Sequence, residues 1–348
     1  RELDHTGFDI KFYSFIPTSR CIKFGLQKKC IVSLFGIIAP FLILRRIFPK
    51  LSWIHIKVQD FIMGIFMRKC DICISLTGYV YAPRIAQKKG AIIIMERGSK
   101  HILEQKKILE KNPHKKNEAI PNRNIKCNLK AYQFANFISV ASQHVKESFL
   151  LHQYPENRIF VNPYGVDLSM FKPLPNIPKK YDVIMVGGWG YEKGCDLIVE
   201  AIRKTNYSFI HVGSIKDVDF PQEKNFTHID PVDQSKLIEY YNQAKVFILP
   251  SRQDGFGMVL SQALACNLPI IGSNNCGAPD LKKMVELPEY ITIIKDYTAD
   301  AIVTAIHTAI KNYEQLGERI YAGNAIENPT WEAYGKRYAN FLHKIIKQ

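Results

Sequence analysis

The sequence predicts an α/β protein built from two doubly wound, Rossmann-like domains. Its 348 residues are too many for a small binding module and suit two hydrophobic cores. Short β-branched runs alternate with stretches of helical periodicity along most of the chain. An apolar fraction of 47% with 11% aromatic residues supports packed cores and excludes a disordered or fibrous chain.

The predicted strands and helices alternate in the same way in both halves of the chain. In the first half we predict strands at 9–16, 71–75, 91–95, 137–141 and 159–161, and helices at 81–89 and 144–151. In the second half we predict strands at 181–187, 208–213, 246–249 and 269–272, and helices at 195–204, 235–243 and 258–265. This order is typical of parallel strands joined by crossover helices.

The join between the halves is a proline-rich segment. Four prolines fall within residues 162–180 and predict a stiff linker. We therefore expect an N-terminal domain at 1–165 and a C-terminal domain at 166–330. Residues 1–7 resemble the end of a helix that stops at a glycine, whereas a doubly wound domain begins with a strand. We accordingly expect the first strand and turn of the N-terminal domain to be missing.

The net charge of +15 is concentrated in the first half. Residues 1–165 contain 27 Lys and Arg against 11 Asp and Glu, whereas residues 166–348 contain 20 against 21. A basic domain joined to a neutral one indicates an anionic partner, which could be nucleic acid, an acidic membrane surface or a phosphorylated substrate. A merely well-solvated surface is the alternative.

The cysteines and the longest apolar stretch constrain the compartment. Most of the eight cysteines lie in apolar runs, which favours a reduced, cytosolic protein. Cys70 and Cys73 lie in a strand-like segment, so packing is favoured over a zinc or redox site. The apolar stretch 31–44 is too short to span a bilayer. It predicts either a membrane-surface helix flanked by Arg45 and Arg46 or a buried core helix.

A glycine-rich turn follows the strand that ends at Val186. Its sequence is Gly-Gly-Trp-Gly-Tyr-Glu-Lys-Gly, and a helix begins directly after it. Gly187 and Gly188 would let the backbone approach a phosphate, the helix N-terminus offers free N–H groups, and Lys193 adds positive charge. The spacing matches neither the dinucleotide fingerprint nor a P-loop. A tight turn without a ligand therefore remains an alternative.

A second polar turn, with the sequence Pro-Ser-Arg-Gln-Asp-Gly-Phe-Gly, joins a buried strand to a helix. Asp254 precedes that helix and Gln262 follows eight positions later, about two turns on, so both side chains can reach one ligand. The backbone N–H groups of Gly255, Phe256 and Gly257 could hold a diphosphate.

Together these motifs resemble the retaining GT-B-fold glycosyltransferases of family 4, which transfer sugars from nucleotide donors. The resemblance is close over residues 90–310 and loose before them. The motifs that carry it, in chain order, are Ala91–His101, Val161–Asp167 with Phe171, Val186–Gly194, Pro250–Gly257 through Gln262, and Gly277–Asp280. The resemblance implies a GT-B fold, with two Rossmann-like domains facing a cleft and the C-terminal helix, 331–348, packing back onto the first domain.

The resemblance also implies roles for individual residues of the second domain. Asp254 and Gln262 occupy the two positions of the family's Glu-x(7)-Glu element, the first a catalytic residue near the transferred sugar and the second near the ribose. Lys193 and Arg252 would neutralise the diphosphate. The glycines of the two turns and Phe256 would complete the donor site, namely Gly187, Gly188, Gly255 and Gly257.

On the first domain, the resemblance places Glu96, Arg97, Ser99 and His101 on a strand-end loop that faces the cleft. Arg97 and His101 are expected to be catalytic, and Glu96 and Ser99 to contact the acceptor or line the cleft. Read in isolation, His101 is better explained as a satisfied surface histidine, and its position after an Arg-Gly-Ser turn makes a site role an equal alternative.

The chain departs from the family pattern at both glutamates, which are Asp254 and Gln262, and at an arginine that many relatives carry where Gly188 stands. Asp keeps the charge on a shorter arm, and Gln can still hydrogen-bond a ribose hydroxyl. Activity is therefore expected, but these departures also permit a silent nucleotide-sugar-binding relative. A phosphorylase or a sugar-nucleotide epimerase of the same fold is a further alternative.

The expected reaction uses a nucleotide sugar and a glycan or lipid-linked glycan acceptor, with retention of anomeric configuration and no metal or other cofactor. Surface polysaccharide, lipopolysaccharide or capsule synthesis would provide such an acceptor. The basic N-terminal half then suits an anionic membrane, with the protein cytoplasmic and peripheral at the inner face of the cell membrane. No recognised nucleic-acid module interleaves the basic residues with aromatics, so we expect no nucleic-acid partner.

Overall fold

The computed structural model describes residues 2–3, 6–114, 120–316 and 329–347. Among these residues, six strands of the first half form two parallel sheets, one of two strands and one of four. The strands, in sheet order, are β1 (Phe12–Ser14) beside β2 (Ile31–Ser33), and then β3 (Ile72–Leu76), β4 (Ile92–Arg97), β5 (Phe137–Val140) and β6 (Ile159–Val161). The helices are α1 (Thr18–Lys23), α2 (Phe35–Ile47), α3 (His55–Phe66), α4 (Tyr81–Lys88), α5 (Ile102–Leu109), α6 (Asn122–Phe134) and α7 (Gln143–Leu150).

The second half contains a six-stranded parallel sheet with the order β12-β11-β10-β7-β8-β9. Its strands are β7 (Tyr181–Val186), β8 (Phe209–Val212), β9 (Phe226–Ile229), β10 (Ala244–Leu249), β11 (Ile270–Ser273) and β12 (Ile291–Ile294). The helices are α8 (Cys195–Arg203), α9 (Leu237–Asn242), α10 (Met258–Ala265), α11 (Ala278–Met284), α12 (Ala299–Leu316) and α13 (Trp331–Ile346). The predicted α/β class is confirmed.

The central strands of the second sheet are buried on both faces. Ile184 of β7, Ile248 of β10 and Ile271 of β11 are all fully buried. Helices on both sides of a parallel sheet exclude water from both faces, which explains why these strands are continuous apolar runs rather than alternating ones. The sheet is therefore a rigid base for the turns that follow its strands.

The order of β7 and β10 in the sheet positions the site. β7 and β10 are neighbours, with β8 and β9 following on the β7 side and β11 and β12 following on the β10 side. In open α/β sheets, ligands bind at the carboxyl ends of the strands at such a topological switch point. The two predicted turns follow β7 and β10 directly, so the fold brings them to one place.

Helix α13 returns to the first half of the chain. Tyr338, Leu342 and Ile345 pack against Ile94 of β4. Phe341 also stacks on Phe160, with the ring centroids 4.0 Å apart. The last helix therefore covers one face of the four-stranded sheet.

Several predicted elements differ from the structure. Glu2, Leu3, Thr6 and Gly7 lie in turns, so the helix end expected at residues 1–7 is wrong for its described residues. The strand expected at 9–16 is limited to β1, and the helix expected at 235–243 begins as a 3-10 turn before α9. The expectation that a first strand is missing stays a prediction.

The apolar stretch 31–44 divides into strand β2 and most of helix α2. Ile38 is the buried residue of α2, whereas Ile43 and Ile47 are 63% and 65% exposed, so the alternative of a buried core helix is wrong. Within the described parts of the chain, no helix has both the length and the hydropathy needed to cross a membrane.

The close cysteine pair lies at the start of β3. Cys73 is buried in the core of the first half, and burial raises the pKa of its thiol to about 12. A thiol with so high a pKa is a poor source of the thiolate that zinc or redox chemistry requires. The packing interpretation accounts for its position.

Candidate functional site

Two glycines of the turn after β7 adopt backbone conformations that other residues rarely reach. Gly187 has a φ of +125° and Gly194, which begins α8, a φ of +74°. A Cβ on Gly194 would lie 2.4 Å from the carbonyl oxygen of Pro250. The glycine therefore permits the turn after β7 to lie directly against the turn after β10.

Lys193 and Asp254 join these two turns. The Lys193 Nζ lies 2.5 Å from Asp254 Oδ2, and both side chains are about one-fifth exposed. Burial opposes the charge of Lys193, but the ion pair with Asp254 outweighs it and raises the pKa of the lysine above its ordinary value. The structure thus brings the expected phosphate cation and the expected sugar-side carboxylate into direct contact.

Arg252, the second expected phosphate cation, is engaged elsewhere. Its guanidinium makes two hydrogen bonds to the carboxylate of Asp196 in α8, at 2.6 and 2.7 Å, and a third to the carbonyl of Tyr191. It also stacks over the Tyr191 ring at 3.8 Å. These bonds anchor the turn after β10 to α8, so Arg252 holds the site together in this conformation, and direct contact with a diphosphate stays a prediction.

The second glycine turn meets the first half of the chain. A Cβ on Gly255 would lie 2.0 Å from the carbonyl oxygen of Gly98, so only glycine permits this approach. Gly257 has a φ of +77° and begins α10. Phe256 between them is buried, and its ring packs edge-on against Tyr164. The turn is held by backbone and aromatic contacts on both sides.

Gln262 lies in α10, and its side chain is fixed by one hydrogen bond. Its Oε1 accepts a hydrogen bond of 2.9 Å from the hydroxyl of Tyr241, which is fully buried. An amide whose oxygen is already used offers a ligand its N–H groups. A hydroxyl-bearing ligand would therefore meet a donor at this position.

Glu96 lies at the carboxyl end of strand β4. Its carboxylate accepts a hydrogen bond from the hydroxyl of Tyr334 in α13, at 3.2 Å. Burial raises the pKa of Glu96, although hydrogen bonding by Tyr334 opposes this effect. The carboxylate thus ties the last helix to the loop on which it was expected to face the cleft.

Arg97 turns back into its own half of the chain. Its guanidinium donates to the carbonyl of Lys100, to Asn128 and to Gln105, the last at 2.6 Å. The arginine thereby fixes the shape of the loop that follows β4. This geometry favours a positioning role over the catalytic contact that was expected.

His101 also points away from the cleft. Its ring stacks on His152 at 4.1 Å and packs edge-on against Phe149. Its Nδ1 accepts from the backbone N–H of Leu103, which caps α5. Burial, followed by the charge of His152, lowers the pKa of His101 to about 3, so the ring is neutral at ordinary pH. The geometry favours a structural role, and the expected catalytic role stays a prediction.

Ser99 is the fourth residue of this loop that was expected at the site. Its backbone nitrogen lies 3.0 Å from the position that a Cβ on Gly255 would take. The structure therefore places Ser99 at a close approach of the two halves, beside the second glycine turn.

Several side chains that bridge the halves were not among the predicted site residues. Ser142 donates a hydrogen bond of 2.6 Å to the carbonyl of Gly255, and Lys100 donates one of 2.7 Å to Asn275. Asp280 accepts from the backbone N–H of Gln143 at 3.0 Å. Ser142 follows strand β5, and the rule that ligand sites gather at strand ends was the one signal that could have found it.

His144 is a further residue that the sequence analysis missed. It lies in the first turn of α7 and is 8% exposed. Burial, followed by the charge of Lys100, lowers its pKa to about 4, although the neighbouring backbone of Asp254 opposes this shift. A neutral imidazole therefore lies beside the second glycine turn.

The second half of the chain matches a family model. Residues 169–327 match the model described as Glycosyl transferases group 1. A probable sucrose-phosphate synthase of Thermosipho melanesiensis is 26% identical over 62% of this chain and 56% of its own length. A GDP-mannose-dependent α-(1-6)-phosphatidylinositol monomannoside mannosyltransferase of Mycolicibacterium smegmatis is 23% identical over 60% of this chain and 62% of its own. The aligned region thus spans less than two thirds of either relative.

Solved structures extend the likeness to the whole fold. Anabaena HepE in complex with UDP and glucose superimposes with a TM-score of 0.60 at 13% identity, covering 94% of this chain and 89% of that one. The lipopolysaccharide outer core galactosyltransferase WaaB superimposes with a TM-score of 0.57 at 16% identity, covering 85% and 82%. The fold is therefore of the GT-B type, with two Rossmann-like domains. The family match and the named mannosyltransferase are likenesses to glycosyltransferases.

Proposed function

We propose that the protein transfers a sugar from a nucleoside-diphosphate donor to a glycan or lipid-linked glycan, with retention of anomeric configuration, as in the glycosyltransferases of family 4. The observation that carries this proposal is the meeting of Lys193 and Asp254 at the carboxyl ends of β7 and β10. It sets a cation that can hold a phosphate beside a carboxylate that can hold a sugar hydroxyl, between two glycine-containing turns.

The chemistry follows from where charge develops. When the bond between the anomeric carbon and the phosphate oxygen breaks, its electron pair stays with the nucleoside diphosphate. Lys193 and the backbone N–H groups of Gly255 to Gly257 would stabilise that negative charge. The acceptor hydroxyl attacks from the face that the diphosphate leaves, and its proton passes to the departing phosphate oxygen. No enzyme nucleophile is needed, and the configuration is retained.

Leaving-group stabilisation by Lys193 also predicts that transfer does not depend on a divalent cation. Dialysis against EDTA should leave the rate of nucleoside-diphosphate release unchanged within twofold, and added Mg²⁺ or Mn²⁺ should not raise it. A rate that disappears with EDTA and returns with either metal would contradict this part of the mechanism.

The relatives suggest the class of acceptor. The mannosyltransferase of M. smegmatis is named for a phosphatidylinositol-linked acceptor, and WaaB for the lipopolysaccharide outer core. Both acceptors are lipid-linked. A surface polysaccharide, lipopolysaccharide or capsule precursor would be an acceptor of the same kind, and it would bring the protein to the inner face of the cell membrane.

The first half of the chain carries a surface suited to such a membrane. Exposed apolar residues gather on neighbouring helices α2 and α3, with exposed fractions of 44% to 65%. They are Ile37, Ile43, Leu44, Ile47, Ile56, Phe61, Ile65 and Phe66. Arg45, Arg46 and Lys50 lie beside them and can meet anionic headgroups. Peripheral binding through this surface would be an expected consequence.

Membrane binding can be tested with vesicles. At low salt the protein should co-sediment with phosphatidylglycerol vesicles and much less with phosphatidylcholine vesicles, because cations contribute about 1 kcal/mol each at an anionic surface. Ile43→Ser with Ile47→Ser should weaken this binding, whereas the control Leu168→Ser, an exposed apolar residue of the second half, should not. Equal retention of all three proteins would reject the surface.

The activity itself is tested by incubating the protein with a panel of UDP, GDP and ADP sugars together with membrane extract. One donor should release its nucleoside diphosphate, and the product linkage should have the anomeric configuration of the donor by NMR. Binding of a donor without any release would instead favour the silent relative, which the tight Lys193–Asp254 contact also permits. Neither binding nor release from any donor would reject the proposal.

A further inference from the structure

Backbone conformation does not explain why residue 188 is a glycine. Gly187 and Gly194 of the same turn have positive φ values, but Gly188 lies in a conformation open to other residues. Instead, the space that a side chain at position 188 would fill is occupied by another residue. A Cβ on Gly188 would lie 2.3 Å from Cε and 2.8 Å from Nζ of Lys216. The end of the Lys216 side chain therefore occupies the position where a side chain of residue 188 would begin.

The backbone of the two segments fixes this arrangement. Trp189 donates from its N–H to the carbonyl of Ser214 at 2.8 Å, and Lys216 donates from its N–H to the carbonyl of Trp189 at 2.9 Å. The loop after β8 thus runs alongside the glycine turn as a short parallel bridge. These two bonds flank Ile215 and fix the backbone of Lys216 beside the glycine turn.

The next residue strengthens the arrangement. Asp217 accepts a hydrogen bond of 2.9 Å from the N–H of Tyr191 and one of 2.7 Å from the side chain of Asn112 in the first half. Gly190 makes room for it, since a Cβ there would lie 2.4 Å from Asp217 Oδ1. Gly188 and Gly190 therefore both make room for the loop after β8. That loop also contacts the first half of the chain, through the hydrogen bond between Asp217 and Asn112.

Lys216 differs from the other cations of the site in its charge balance. Lys193 is paired with Asp254, and Arg252 is paired with Asp196. Within the described ranges no carboxylate lies within 4.0 Å of Lys216 Nζ, and the residue is exposed. A compact ammonium group with three donors and no anionic partner is suited to bind a phosphate.

We propose that Lys216 is a diphosphate-binding residue of this site and supplies from the loop after β8 the positive charge that a side chain at position 188 does not supply. This inference rests on the proposed function, because it concerns the phosphate groups of the same donor. It assigns a specific role to Gly188, which is to leave room for the lysine.

The first test is titration of the full chain with UDP and with GDP by calorimetry at low salt. Lys216→Ala should weaken the binding of the nucleotide at least tenfold without lowering the melting temperature, since the side chain is exposed. Lys224→Ala is the matched control, because it removes an exposed lysine that precedes β9 and hence lies at the amino ends of the strands, away from the carboxyl ends that carry the site. It should bind as the wild type does.

The second test exploits the steric relation. Gly188→Arg combined with Lys216→Ala should recover binding to within about threefold of the wild type, because the arginine returns a positive charge to the place that the end of Lys216 occupies. Wild-type affinity in Lys216→Ala would overturn this inference and leave the proposed function standing. No saturable binding of UDP or GDP by the wild type would overturn both.

Discussion

On the C-terminal side of the cleft the site is formed largely by glycine backbone, whereas on the N-terminal side charged and aromatic side chains turn back into their own domain. Gly187, Gly194 and Gly257 have positive φ values, and Gly255 is pressed against the opposite loop. By contrast, Arg97 is bonded to its own loop and helices. Backbone N–H groups can bind a phosphate whichever sugar it carries, so under the proposed function the sugar is left to side chains such as Asp254.

The largest effect is expected where the two sides touch. Gly255→Ala would place a methyl group 2.0 Å from the carbonyl oxygen of Gly98, so the halves must move apart. Displacements near 1 Å reduce rates about 100-fold, and we expect a loss of that size in the transfer rate.

Gly36→Ala is the control for that variant, because nothing lies within 4 Å of a Cβ at this position. It should transfer sugar at the wild-type rate. Retention of more than half the wild-type rate by Gly255→Ala would show that the contact between the two sides does not matter to function.

An effect on stability rather than on activity is expected at His101. His101→Phe keeps a ring among His152 and Phe149 but loses the acceptor for the Leu103 N–H, which should cost about 1 kcal/mol of unfolding free energy in a denaturant titration. Transfer should remain within about threefold of the wild type, and its pH profile between 5 and 8 should be unchanged, since the folded pKa is about 3. Loss of transfer without loss of stability would restore the catalytic role.

The smallest effect is expected at Asp280, whose pKa burial raises to about 6 from an ordinary 3.8. Between these pH values the folded state holds a proton that the unfolded state has released. The contribution of Asp280 to stability is therefore complete below about pH 4 and is lost as the pH rises to 6.

Asp280→Asn keeps the acceptor for the Gln143 N–H but cannot ionise. Its melting temperature should exceed that of the wild type at pH 7.5, and the difference should shrink toward pH 4. If the difference in melting temperature did not change with pH, burial would not raise the pKa of Asp280 in the folded state.

The two sides also differ in how far the sequence predicts them. Helix α10 has the predicted ends, Met258 and Ala265, because Gly257 sets its start and the apolar strands around it fix its length. Strands β7, β8, β10 and β11 lie within two residues of their predictions for a similar reason, since long apolar runs bounded by glycine and proline leave few alternatives.

What the sequence could not predict depends on contacts between distant segments. Lys216 lies over Gly188 because two loops pair side by side, and Ser142 reaches Gly255 because the halves close on each other. Arg97 was expected on a loop but is the last residue of β4, whereas His101 precedes α5, and the directions of both side chains depend on neighbours such as Gln105 and His152. The order of the motifs predicts where a segment lies in the fold, whereas packing against distant residues sets the direction of each side chain.

The most direct test of the central claim is a calorimetric titration of the wild type and of Lys193→Ala with UDP and GDP. The wild type should bind one of them saturably, and Lys193→Ala should bind it at least tenfold more weakly. Asp254→Asn keeps a side chain of the same shape without its charge and should bind no more weakly than the wild type. Equal affinities of wild type and Lys193→Ala, or no binding by the wild type, would contradict the assignment of this cleft to a nucleoside-diphosphate donor.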